Sequence, residues 1–347
     1  MSTMRTVQFK SENDTLSGVL VLPEGTPGPF PLVVMGGGWC YVKEIVLPHY
    51  AKGIVAAGSA VLMFDYRNFG ESSGERRQHI DPSEQIEDFR NAVSYAETLP
   101  EIDPNRIGAW GISYAGGHAL SVAAMDSRVK VAVSNIPVCN GYENMRRVHG
   151  STRFNDLEEL LLADRRARAR GANEEGRLPM SSLTPATELS TWPFPTIHKV
   201  FHDIKVREAP NHEHWSTVES TELLLNYDVG PFARRIYDKP VLMVVAEGDD
   251  ITLWDLEIDT YRSIPSARKE LAVIPKVSHM SLYSQQDHLT RAGAAASAFI
   301  KKHLVAGSHI PKGHAESHWL QPDTGFDLCL RDLAKRCDAL RSDVSSA

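Results

Sequence analysis

The chain has 347 residues, 42% of them apolar and 23% charged, with a net charge of −7. These values exclude a disordered or collagen-like chain and allow one large α/β domain with an insertion, or two modest domains. The acidic balance removes the electrostatic basis for binding nucleic acid or an anionic membrane surface, and no run approaches the roughly 18 consecutive apolar residues of a membrane span.

Residues 7–22 alternate loosely around a break at Ser11, Glu12, Asn13 and Asp14, which predicts two short strands and a turn; 23–31 is a Pro/Gly loop. The runs 32–35 and 60–64 are continuously apolar, as in strands buried on both faces of a mostly parallel sheet. Asp81, Pro82 and Glu84 read as the N-cap, first position and acidic third position of a helix whose Ile86, Phe89, Val93 and Ala96 share one face. Strands follow at 107–110, 129–133, 240–245 and 271–274, then a helix through Leu289, Ala296, Phe299 and Ile300. Strands alternating with helices specify an α/β fold with a mostly parallel, doubly wound sheet.

The gap of about a hundred residues between the strands at 129–133 and 240–245 demands an inserted unit. It is placed at 141–237 as a helical cap, between core parts 1–140 and 238–304. Within it a helix capped by Asn155 carries Leu157, Leu160 and Leu161. That helix ends in Arg165, Arg166, Arg168 and Arg170, which complement its dipole or hold an acidic substrate tail. Trp192, Phe194, Phe201 and Trp215 are the candidates for lining a substrate pocket under this cap, with the core of the cap the favoured place for any single one of them. Residues 305–347 form an extension in which Thr324 and Asp327 open a helix with Phe326, Leu330, Leu333, Cys337 and Leu340 on one stripe. Such a stripe docks on its own domain or on a second subunit, as a homodimer.

The chemistry is carried by residues 106–119, an apolar strand running into Ser113 and then a small-residue helix. A serine hydroxyl becomes a nucleophile when a sharp strand-to-helix turn holds it near a base and backbone donors. The elbow pattern Gly-x-Ser-x-Gly is met by Gly111 and Ser113 and departs at Ala115, with Gly116 and Gly117 following. An acid and then a histidine are required downstream. The strand at 241–245 runs into Glu247, Gly248, Asp249 and Asp250, with Asp249 the expected acid, Asp250 the second choice, and Glu247 and Asp255 less well placed. The strand at 271–274 leads into a loop bearing His279, the expected base; His118, on the helix behind the serine, is read as structural.

Two backbone N–H groups must face the developing oxyanion. Tyr114, directly after the serine, supplies one, and the loop Gly36-Gly37-Gly38-Trp39-Cys40 supplies the other from Trp39. Cys40 is a rival nucleophile in principle but follows no elbow. Among 14 histidines, His198 with His202, His212 with His214, and His314 with His318 have usable spacing without the H-E-x-x-H pattern, so no metal is expected. The N-terminus lacks the apolar h-region of a secretory signal, and Cys40, Cys139, Cys329 and Cys337 form no C-x-x-C pair. A cytoplasmic setting, a small-molecule partner and no cofactor are expected.

With segments 35–44, 64–72, 106–117, 246–250 and 278–279 in place, residues 7–304 resemble the α/β-hydrolase superfamily, in the dienelactone-hydrolase-like branch that includes polyketide thiohydrolases and acyltransferases. The resemblance implies the α/β-hydrolase fold, with Ser113 as nucleophile, Asp249 as acid and His279 as base. Gly37 stands where such relatives often carry a histidine. The expected activity is serine hydrolysis of an ester or thioester of a small apolar or aromatic acyl group, through an acyl-enzyme. Acyl transfer, or cleavage of a C–C or amide bond, would use the same residues; a non-catalytic small-molecule-binding protein is the reading from another class.

Overall fold

The alternation in the sequence resolves, in a computed structural model that describes residues 3–172 and 175–306, into a sheet covered by helices. The first half comprises β1 (Thr3–Ser11), β2 (Asp14–Leu22), β3 (Phe30–Gly36), α1 (Leu47–Ala56), β4 (Ala60–Phe64), α2 (Pro82–Glu97), β5 (Ile102–Ile112), α3 (Tyr114–Met125) and β6 (Val129–Asn135). The long intervening segment holds α4 (Gly141–Ala169), β7 (Arg177–Pro179), α5 (Pro195–Arg207), β8 (Trp215–Thr217), α6 (Val218–Leu225) and α7 (Gly230–Ala233). The core resumes with β9 (Val241–Ala246), α8 (Trp254–Ser263), β10 (Lys269–Ile274), α9 (Ser281–Ser284) and α10 (Gln286–Ile300).

The eight-stranded sheet has the order β1-β2-β4-β3-β5-β6-β9-β10. Only the β1–β2 and β2–β4 pairings are antiparallel. The interior strands β3, β4 and β9 are buried at every position, which is why they read as unbroken apolar runs. β1, at the edge, keeps an alternating pattern over its last residues. Helices α1 and α10 pack together on one face and α2 and α3 on the other. Asp81 caps α2, accepting from the N–H groups of Ser83 at 2.7 Å and Glu84 at 3.4 Å, an arrangement worth about 1 kcal/mol. Because β3, β5, β9 and β10 run parallel, their C-terminal ends reach the same side of the sheet, where such folds bind ligands.

The inserted segment corrects the helix start expected at Asn155. The helix begins at Gly141, capped by Asn140, whose side chain accepts from Glu143 N at 2.9 Å. Asn155 lies beyond an internal break at Gly150 (φ 66°, ψ 171°), with buried residues on both sides of it. Packing of Met145, Phe154, Leu157 and Leu161 decides this helix, which a scan for caps cannot see. Two of the arginines near its end form ion pairs within the chain: Arg165 pairs with Glu222, and Arg168 reaches Asp164 at 2.7 Å, Glu219 at 2.8 Å and Glu222 at 2.5 Å. These contacts tie α4 to α6 and occupy two of the cations considered for a substrate tail. The predicted C-terminal helix, and the dimer through it, lie outside the described residues.

Candidate active site

Ser113 sits between the end of β5 and the start of α3 with φ 56° and ψ −122°. A side chain other than glycine holds that conformation only where its surroundings over-determine it. Here Ser113 N donates to Asn135 O at 2.9 Å, and Ser113 O accepts from Gly116 N at 2.8 Å and Val138 N at 3.2 Å. At Gly111 a Cβ would overlap the Ala115 carbonyl, so the first elbow glycine is sterically required. The methyl of Ala115 is accommodated because its neighbour on β3 is Gly36, where an added Cβ would come within 3.2 Å of it.

Asp249 follows β9 and His279 follows β10, and the two are joined by a hydrogen bond of 2.7 Å from His279 Nδ1 to Asp249 Oδ2. The other carboxylate oxygen, Oδ1, accepts from the N–H groups of Ile251 at 2.9 Å and Thr252 at 3.0 Å. Burial pushes the Asp249 carboxyl up, but the imidazole beside it and these hydrogen bonds outweigh burial and hold it below its ordinary value. Asp250 is exposed, Asp255 pairs with Arg147 at 2.7 Å, and Glu247 is exposed and accepts from Lys276 N. Only Asp249 of these four meets the histidine.

A second buried carboxyl, Glu257 on α8, stands behind this pair and was not anticipated. Thr252 Oγ1 donates to Glu257 Oε1 at 2.8 Å and lies 3.2 Å from His279 Nδ1, while Glu257 Oε2 has no hydrogen-bond partner among the described residues. Burial, and then the negative charge of Asp249, push the Glu257 carboxyl well above the usual carboxylate range, which favours its protonated form. At a pH well below 4.5, the ordinary glutamate value, the folded and unfolded states both carry this proton and the group is neutral for stability. As pH rises, the unfolded chain ionises before the folded carboxyl does, so the group increasingly destabilises the fold. Glu257→Gln is therefore expected to melt above the wild type at pH 8, with the difference shrinking toward pH 4 in thermal denaturation. A difference independent of pH would contradict this.

The loop after β3 runs past the serine. A Cβ on Gly38 would lie 3.2 Å from Ser113 Cβ, so glycine permits the approach. Among the described residues the Trp39 N–H has no acceptor, and the Tyr114 N–H, at the first position of α3, has no intrahelical one. Lys43 fastens the far side of the loop, its N–H donating to Asp65 Oδ1 at 2.7 Å and its ammonium reaching Asp65 Oδ2 at 2.8 Å and Glu71 at 2.7 Å.

Ser113 and His279 face a cavity of about 20 Å³, room for little more than one water, walled otherwise by apolar and aromatic side chains. Trp192 and Phe201 are on that wall; Phe194 and Trp215 are not. Phe194 is half-buried at the N-terminus of α5. Strand β8 buries Ser216 and turns Trp215 outward, where Arg177 lies 4.2 Å over its ring. The two-residue period of a ribbon decides this, and sequence reading had no partner strand from which to set it. Trp39, Tyr41, Met180, Ile197, Ile251, Met280 and Tyr283 complete the wall; an apolar residue in a loop or on a short helix carries no local signal that separates a pocket wall from core. His118 is buried, 2.9 Å from Tyr227 Oη and 3.2 Å from Gln85 Oε1, and burial lowers it to about 3. Among the described residues no group of three His, Cys, Asp or Glu side chains is arranged to hold a metal.

The family model of the X-Pro dipeptidyl-peptidases (S15 family) matches residues 12–281. The chain belongs to this family. As an S15 member it is a hydrolase with the α/β-hydrolase fold, as its motifs implied. It is 30% identical over 246 residues to thiohydrolase aneE of Aspergillus aculeatus, covering 69% of this chain and 76% of that one. It is 36% identical over 187 residues to the quorum-quenching protein AidA of Acinetobacter baumannii, covering 54% of this chain but only 60% of AidA. The structure of DcsB in complex with its substrate analogue shares the fold, with a TM-score of 0.75 at 24% identity over 87% of this chain and all of that one. No helix among the described residues of this S15 chain is long and apolar enough to cross a membrane.

Proposed function

We propose that this S15 chain hydrolyses a carboxylic ester or thioester through an acyl group carried on Ser113. The observation that carries the reading is the Asp249–His279 hydrogen bond at the wall of the cavity that also exposes the strained elbow serine. His279 Nε2 takes the Ser113 proton as Oγ attacks the carbonyl carbon, and returns it to the departing alcohol or thiol. Asp249 keeps the proton of the resting imidazole on Nδ1. The N–H groups of Trp39 and Tyr114 receive the oxyanion. Water then adds to the acyl-enzyme with His279 as base, releasing the acid and restoring the serine.

The apolar wall, with Trp192 and Phe201 among its residues, suits an apolar or aromatic acyl group, and Met180 and Met280 can repack at low cost to admit one. The thiohydrolase relative supports thioesters as the leading substrates. A panel of acyl thioesters, p-nitrophenyl esters and X-Pro peptide amides, combined with a fluorophosphonate probe, tests this. Labelling at Ser113 and turnover of the thioesters and esters ahead of the amides are expected. Preferential turnover of X-Pro amides, or absence of label at Ser113, would overturn the assignment.

A further inference from the structure

The loop that presents Trp39 contains a conformation that needs holding, and its brace comes from far along the chain. Gly38 to Tyr41 form a turn closed by Tyr41 N–H to Gly38 O at 3.4 Å. Cys40 occupies the turn position where positive φ favours glycine, with φ 57°. Gly37 and Gly38 offer no side chain to anchor it, and at Gly37 a Cβ would meet the Tyr41 ring at 2.5 Å.

Buried His212, 172 residues later, places Nδ1 3.0 Å from the Cys40 carbonyl oxygen. Its Nε2 lies 3.2 Å from His214 Nδ1, and His214 Nε2 lies 2.7 Å from Ser181 Oγ. A carbonyl only accepts, so His212 Nδ1 carries the proton; with neutral rings, His214 Nδ1 donates to His212 Nε2 and the Ser181 hydroxyl donates to His214 Nε2. One direction of donation satisfies all four groups. Burial, with the positive charge of Lys205, lowers His212 to about 4. Burial first, then the neighbouring histidines and Lys205, lower His214 to about 3. The same segment takes the Cys40 thiol, which donates to Trp215 O at 3.3 Å.

We propose that His212 is a positioning residue for the oxyanion loop. Its hydrogen bond to the Cys40 carbonyl fixes the left-handed turn and thereby the direction of the Trp39 N–H. The chain Ser181–His214–His212 thus couples seating of the 177–217 ribbon to assembly of the oxyanion hole, doing for this loop what no residue at position 37 can do. The inference rests on the assignment of the Trp39 N–H under the proposed function.

The test compares wild type, His212→Gln and His212→Asn in hydrolysis of p-nitrophenyl butyrate. It adds inhibition by a trifluoromethyl ketone, which forms a tetrahedral oxyanion on the serine. Asparagine places its amide near the position of Nδ1 and keeps a donor for Cys40; glutamine places it near Nε2 and does not. His212→Gln is expected to lower kcat about thirtyfold, less than the 10²- to 10³-fold loss of a whole oxyanion donor, with KM little changed and the ketone Ki raised by the same factor. His212→Asn should recover to within about threefold of wild type. Unchanged kcat and Ki in both variants, or a loss confined to KM, would overturn the role of His212. Continued activity of Ser113→Ala would instead bring down the underlying reading. If His212→Gln does not fold, Ser181→Ala is read the same way, with an expected loss of about fivefold in kcat and a matching rise in Ki; no loss overturns the proposal.

Discussion

Ser113→Ala should lower kcat/KM for p-nitrophenyl butyrate by about 10⁴-fold or more while leaving the fold intact. Removing the nucleophile of a serine–histidine–aspartate site leaves only the contribution of the oxyanion donors and binding, and the members of such a site act as a unit. A fall of 10⁴ corresponds to about 5.4 kcal/mol of lost transition-state stabilisation. Stability should change little, because the Ser113 hydroxyl has no hydrogen-bond partner among the described residues and alanine bears the same backbone strain at φ 56°. Circular dichroism and the melting temperature check the fold; the rate checks the chemistry. Wild-type turnover by a folded Ser113→Ala protein would refute the nucleophile.

Asp249→Asn should cost about 10⁴-fold in kcat, for a reason that can be traced atom by atom. Asp249 Oδ1 accepts from the N–H groups of Ile251 and Thr252, so an asparagine must place its oxygen there. Its NH₂ then faces His279 Nδ1, where Asp249 Oδ2 had accepted at 2.7 Å. Two donors cannot share that contact, so His279 moves its proton to Nε2, the nitrogen that must receive the proton of Ser113. Asp250→Asn is the control: Asp250 is exposed, and its change should stay within about twofold. Comparable losses in the two variants would place the acid elsewhere. Because Asp249 is held below its ordinary value of 3.8, its ionisation should not limit the wild-type rate anywhere in the neutral range.

The elements that were legible share one property: their signals are local. Asp81 and Pro82 opened α2 as expected because a cap and its helix are adjacent in sequence. The buried strands β3, β4 and β9 were legible because burial on both faces forces every residue to be apolar. The inserted segment was less legible. Its long first helix starts at Asn140 and Gly141 rather than Asn155, set by packing around a break at Gly150. Trp215 was a candidate for the pocket wall by residue type, and the register of an antiparallel ribbon with β7 turned it away.

The fold class and, through the order of strand ends, the loops that carry Ser113, Asp249 and His279 follow from local residue patterns alone. Parallel strands deliver their C-terminal residues to one side whatever the detail of packing. That Asp249 rather than Asp250 meets His279 is a result of how the two loops pack. Packing likewise brought Glu257 and Thr252 behind that pair, and His212 to the Cys40 carbonyl. Those contacts join residues whose meeting depends on packed side chains and loop closure, and no periodicity or spacing along one chain encodes a hydrogen bond made 172 residues away.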